Sequence, residues 1–156
     1  MLSKDETLKL AQNYAEKGFL CSESVLLAIS QSLSISSELI PKIATGFGAG
    51  IGRHGEVCGA LAGGVMALGL KFGRSTLEPS KPDWRPHWFA QELASQFQAH
   101  FGNIRCRDLL GLDLSRPEDV KKYTEKQLWN TRCRSIILDT CSLVHEFLQS
   151  HQQQQT

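Results

Sequence analysis

Gly46-Phe-Gly-Ala-Gly-Ile-Gly-Arg-His-Gly-Glu-Val-Cys-Gly-Ala-Leu-Ala-Gly-Gly64 is the stretch that decides how this chain is read. A glycine-dense loop runs into an apolar segment, and Cys58 sits at the junction. Glycine is the residue of left-handed turns and of backbone that must approach another group closely. The apolar segment has helical spacing over about residues 56–72 and meets a stop at Gly73. Gly59 and Gly63 lie four apart, as do Ala60 and Gly64, so one face of this helix is small enough to sit very near a neighbour. A thiol at a helix start meets unpaired N–H groups and roughly half a positive charge, which favours thiolate. Cys58 is therefore expected to be reactive or metal-ligating more than a packing residue.

Outward from this stretch the periodicity stays helical. Ser3 and Glu6 have the spacing of a capping box, with Leu8, Ala11, Tyr14 and Ala15 on one face before Gly18. A second helix starts near Cys21 and turns Val25, Ala28, Ile29 and Leu33 inward. Ser36 and Ser37 open a short third one through Leu39, Ile43 and Phe47, with Pro41 tolerable in its first turn. Residues 74–86 hold three prolines and no period, and read as an excursion loop. Trp88, Phe89, Leu93, Phe97 and Phe101 mark an aromatic-faced helix ending at Gly102. A turn from Cys106 to Gly111, a second capping box from Ser115 to Glu118, and a last helix over about residues 131–148 complete the pattern. No stretch alternates as a strand would. The expected class is all-α: a compact multi-helix bundle with a glycine-rich loop, one domain over residues 1–150, and a disordered polar tail at 151–156.

The chain has 156 residues and a net charge of +1, from 17 basic and 16 acidic side chains spread along its length. That balance argues against nucleic acid or an anionic membrane as an obligate partner. The apolar run from Val57 to Leu70 is too short and too glycine-rich to span a bilayer. Ser3-Lys4-Asp5-Glu6 reads as a helix start and not as a leader, so a cytoplasmic location is expected.

Five cysteines, Cys21, Cys58, Cys106, Cys133 and Cys141, are widely separated, odd in number and free of any CxxC pair. A disulfide framework is not the expected use for them. Cys21, Cys58 and Cys106 fall at expected helix starts, and Cys133 lies within two residues of another. Arg105 and Arg107 flank Cys106, Arg132 and Arg134 flank Cys133, and Arg53 precedes Cys58; such cations lower thiol pKa. Cys133 and Cys141 are eight residues apart, roughly 12 Å along a helix, so one of the two stands outside any single four-cysteine centre. Gly50-x-Gly52-x-x-Gly55 matches a dinucleotide-binding pattern but lacks the strand that pattern needs before it. The five histidines show no zinc spacing, and His54 reads as a surface loop residue.

Four blocks together resemble the C_GCAxxG_C_C family of redox-active proteins. Its central CGAxxG motif reads here Cys58-Gly59-Ala60-Leu61-Ala62-Gly63, and its first cysteine stands in Gly18-Phe-Leu-Cys21-Ser-Glu-Ser-Val25. The glycine approach matches Gly46 through Ala60, with Ala49 in place of a glycine. The CRxLLGxDLS block matches Cys106 through Ser115, and the final cysteine matches Arg132-Cys133, with Ile137 for valine. The resemblance implies a small helical protein whose Cys21, Cys58, Cys106 and Cys133 are redox-active or hold a redox centre, and leaves Cys141 as a packing residue.

Three functions fit that set. The four thiolates ligate an iron–sulfur cluster, with Gly59 and its neighbours offering backbone N–H groups to the sulfurs, for electron transfer or sensing with a redox partner protein. Zinc is the alternative metal for the same ligands. Metal-free thiol–disulfide exchange is the second reading, with Cys58 attacking and Cys106 or Cys133 resolving. The third is a helical interaction module, a homodimer for instance, using the Gly59–Gly63 face and the aromatic loop from Trp84 to Trp88.

Overall fold

The computed structural model describes residues 1–77 and 84–152, and among them it is helical with no strand. Helix α1 (Lys4–Glu16) begins as its capping box requires: Ser3 Oγ accepts from the Glu6 N–H at 3.3 Å, and the Glu6 carboxylate accepts from the Ser3 N–H at 2.9 Å. Its buried stripe is Thr7, Ala11 and Ala15. Helix α2 (Cys21–Ser32) starts at the first of the candidate cysteines, its opening turn held by the Glu23 carboxylate accepting from the Leu20 N–H at 2.8 Å. Val25, Leu26, Ala28 and Ile29 of α2 are fully buried.

Helix α3 (Leu39–Ala44) is shorter than the sequence suggests and passes into a 3-10 turn at Thr45–Phe47. Leu39, Ile43 and Phe47 are exposed, because α3 faces α2 through Ile40 and Ala44 instead. Ser22 Oγ donates to the Ala44 carbonyl at 2.7 Å, tying α3 to the first turn of α2. Helix α4 (Gly59–Phe72) then lies against α2 at close range. A methyl at Gly63 would fall on the carbonyl oxygen of Ser22, and one at Gly64 would come within 2.9 Å of Val144 Cγ2. The small-residue face is thus consumed inside the chain, by α2 and the last helix, and is not a subunit interface.

Helix α5 (Arg85–Phe101) buries Leu93 and Phe97 and stops at Gly102 in left-handed conformation, φ 86°. It begins before Pro86, which takes a first-turn position, so the excursion loop is shorter than residues 74–86; its centre, 78–83, lies outside the described residues. Trp88 is exposed and not part of the aromatic core. Two short helices follow, α6 (Cys106–Leu110) and α7 (Pro117–Glu125). The capping box expected at Ser115 is absent: its hydroxyl donates to Asp113 at 2.6 Å, and Arg116 occupies the cap position. A π-helical turn, Trp129–Cys133, leads into α8 (Arg134–Gln152), whose Ile136, Ile137, Cys141, Val144, Phe147 and Leu148 close the core against α1, α2, α4 and α5. The helix runs on through His151, where a frayed tail was expected to begin, and 153–156 lie outside the described residues.

Candidate functional site

Four of the cysteines meet at one end of this bundle. Cys21 is the first residue of α2, Cys58 the N-cap of α4, Cys106 the first residue of α6, and Cys133 the last residue of the π-turn. Cys58 and Cys106, far apart in sequence, are held together by an isolated antiparallel bridge pairing Val57 with Arg105. The Cys58 N–H donates to the Ile104 carbonyl at 2.8 Å, and the Cys106 N–H to the Glu56 carbonyl at 2.7 Å. Two flanking ladder bonds fix the separation of two thiols that no local pattern relates.

Glycine supplies the remaining closeness. A methyl on Gly59 would strike Cys21 Sγ, so the first sulfur sits directly over the Cys58–Gly59 turn. A methyl on Gly50 would come within 2.8 Å of Cys106 Cβ and against the backbone of Gly55 and Glu56. Ala49, Gly50, Ile51, Gly52 and Arg53 all have positive φ, between 55° and 71°, forming a left-handed turn. Each non-glycine residue there costs roughly 1–2 kcal/mol, and such strain persists only where surrounding structure holds it. Here it is held by the Gly55 N–H donating to the Ala49 carbonyl and the Glu56 N–H to the Gly50 carbonyl. The backbone N–H groups of Ala49, in this turn, and of Ser22 and Ala60 favour negative charge on Cys21.

The four cysteines line one cavity of about 200 Å³, walled otherwise by Leu20, Leu109, Leu114, Val120, Tyr123 and Trp129, with Arg53 at its edge. All five cysteines are free thiols. Among the described residues no group of three or more His, Cys, Asp or Glu side chains is arranged to hold a metal ion. The four cysteines on the cavity thus share one chamber.

The expectation that helix starts and arginines would favour thiolate is corrected by burial. Desolvation pushes Cys21 and Cys58 up, Cys106 to about 12 and Cys133 to about 11. Cys21 adds to the rise at Cys58, at Cys106 and at Cys133, and Cys133 adds to it at Cys106, which places the four in one electrostatic neighbourhood. Opposing this, backbone N–H groups favour the charged form at Cys21 and Cys58, and the Tyr123 hydroxyl, 3.4 Å from Cys133 Sγ, favours it at Cys133, with Arg132 adding to it. Arg105 and Arg107 are engaged with Glu56, at 3.1 and 3.8 Å.

Cys141 is fully buried in the α8 core and does not line the cavity. His54 is exposed, as expected of a loop histidine, with its carbonyl accepting from Arg107. Sequence reading missed Tyr123, Trp129 and the bridge at Val57. Tyr123 follows Val120 by three residues on α7, the spacing of a shared helix face, which was the one available signal.

This arrangement is that of an all-helical protein with four separated cysteines on one cavity. The chain belongs to the family described as "Putative redox-active protein (C_GCAxxG_C_C)", whose profile matches residues 19–147. Neither the curated proteins nor the solved structures yielded a match. No helix among the described residues is long and apolar enough to cross a membrane.

Proposed function

We propose that Cys21, Cys58, Cys106 and Cys133 hold one iron–sulfur cluster, used for electron transfer or redox sensing with a partner protein. The observation that carries this reading is the convergence of four thiols on one apolar cavity of about 200 Å³. Zinc would take the same four ligands, each sulfur at about 2.3 Å from one centre. A polynuclear cluster takes its cysteines at separate irons, and four thiolates are its ordinary ligand set.

When bound, such a cluster supplies one-electron chemistry. The chain's own part is to prepare the sulfurs and keep water away. Backbone N–H groups of Ala49, Ser22 and Ala60 stabilise negative charge on Cys21, and those of Ala60 and Leu61 do so on Cys58. The Tyr123 hydroxyl donates to a Cys133 thiolate. The aliphatic wall lowers the local dielectric, which strengthens each of these bonds. Thiol–disulfide exchange without metal fits the same convergence less well, because burial holds Cys58, its attacking group, well above the ordinary thiol range. Five free cysteines suit a reducing compartment such as the cytoplasm.

The test is anaerobic purification of the full chain, with a visible spectrum and iron, sulfide and zinc analysis on one sample. A broad visible band with matched iron and sulfide supports the cluster. A colourless protein that takes up neither after anaerobic reconstitution overturns it, and stoichiometric zinc alone would replace it with a structural site.

A further inference from the structure

The cysteine cavity has one wall unlike the rest. α2, α4, α6 and the π-turn bear its cysteines, while the remaining side is closed by the segment 112–126, which carries α7. Helix α7 buries no residue fully. Its cavity-facing side chains are Val120 and Tyr123, and Leu114, the segment's one buried side chain, precedes it on the same wall. The other faces are charged: Lys121 pairs with Glu125 at 3.7 Å, Lys122 with Asp119 at 2.9 Å, and Arg116 with Asp113 at 3.8 Å.

The hydrogen bonds of this segment are self-contained. The Asp113 N–H donates to Asp119, Ser115 to Asp113, the Val120 N–H to the Arg116 carbonyl, and Thr124 to the Val120 carbonyl. Among the described residues, the hydrogen bond that ties it to the body is Tyr123 hydroxyl to Cys133 Sγ, at 3.4 Å. Both ends carry backbone suited to turning: Gly111 has φ 65° and Gln127 φ 49°. Immediately beyond Gln127 comes the π-turn that presents Cys133, a geometry frequent at functional sites.

We propose that residues 112–126 form a lid over the cysteine cavity, hinged at Gly111 and Gln127 and latched by Tyr123 on Cys133. Lid opening is the path by which a soft, thiol-seeking occupant reaches the four sulfurs, and closure returns the Tyr123 hydroxyl to Cys133 once the occupant is held. Tyr123 is thus a positioning residue that governs access. The inference uses only the shared cavity and stands whichever centre fills it.

The experiment uses the full chain, reduced and metal-free, so that its failure is separable from failure of the cluster reading. Hydrogen exchange should show α7 amides exchanging at least about tenfold faster than those of α4, as a segment with few buried contacts does. Pulsed iodoacetamide labelling, read residue by residue by mass spectrometry, then compares the wild type with Tyr123→Phe, which keeps the ring and removes the latch. Cys58, Cys106 and Cys133 should label about fivefold faster, the effect of one hydrogen bond, with Cys141 unchanged. Protection of α7 equal to that of α4 overturns the lid. Acceleration at Cys133 alone overturns the latch as a gate, and equal acceleration of Cys141 does so too, by reporting global loosening.

Discussion

The cysteine cavity has an inner wall and an outer one, and they are built on opposite principles. The inner wall is the α2–α4 contact, where Gly59 and Gly63 leave no room for a methyl group and Cys21 and Cys58 are fixed by backbone packed on backbone. The outer wall is the segment 112–126, held to the body by the buried Leu114 and a hydroxyl–sulfur contact, with a helix that buries no residue fully. Cys106 is tied to the same wall by the Val57–Arg105 bridge, so three of the four thiols are set by the fold. Cys133 stands against the outer wall, on the contact with Tyr123. A site that must admit a bulky centre and then hold it benefits from having both.

Substitutions that add or remove a methyl group can break or sharpen this contrast. Gly63→Ala should be the most damaging, costing about 3 kcal/mol at the upper end of overpacking losses, because its neighbour is the Ser22 backbone and cannot turn aside. Guanidinium unfolding of the metal-free protein, with unchanged slope, would measure it. Gly50→Ala should cost about 2 kcal/mol through a left-handed φ of 67° and the approach to Cys106. Ala49→Gly runs the other way: relief of left-handed strain at φ 55° outweighs the added chain entropy, for a gain of about 0.5 kcal/mol in the same unfolding midpoint. On the outer wall, Val120→Ala should change global stability by no more than about 0.5 kcal/mol. A Val120→Ala loss as large as that of Gly63→Ala would erase the difference between the walls.

Much of the inner wall was legible in the sequence. The i, i+4 spacing of Gly59 with Gly63 and of Ala60 with Gly64 points to a close helix contact, and Cys21, Cys58 and Cys106 stand at helix starts as read. What the pattern could not convey was non-local. The bridge between Val57 and Arg105 pairs two segments that have no strand character of their own, so no periodicity announces it. The thiol acidity was misjudged for a related reason: a helix start and a nearby arginine are visible locally, whereas burial depends on what the rest of the chain lays over the sulfur. The exposed stripe of Leu39, Ile43 and Phe47 shows the same limit, since helical spacing identifies a face without saying whether anything covers it. Family resemblance supplied what spacing left open, namely the expectation that Cys133 belongs to the set and Cys141 does not; Cys133 lines the cavity, and Cys141 is buried in the core.

The central claim is that four thiols act as one site and the fifth does not. The most direct measurement is the iron and sulfide content of five single Cys→Ser variants after anaerobic reconstitution, each compared with the wild type. The account predicts loss or marked lability of the centre for Cys21→Ser, Cys58→Ser, Cys106→Ser and Cys133→Ser, with Cys141→Ser retaining the wild-type content. Full retention in any of the first four, or loss in Cys141→Ser while that variant remains folded, would contradict it.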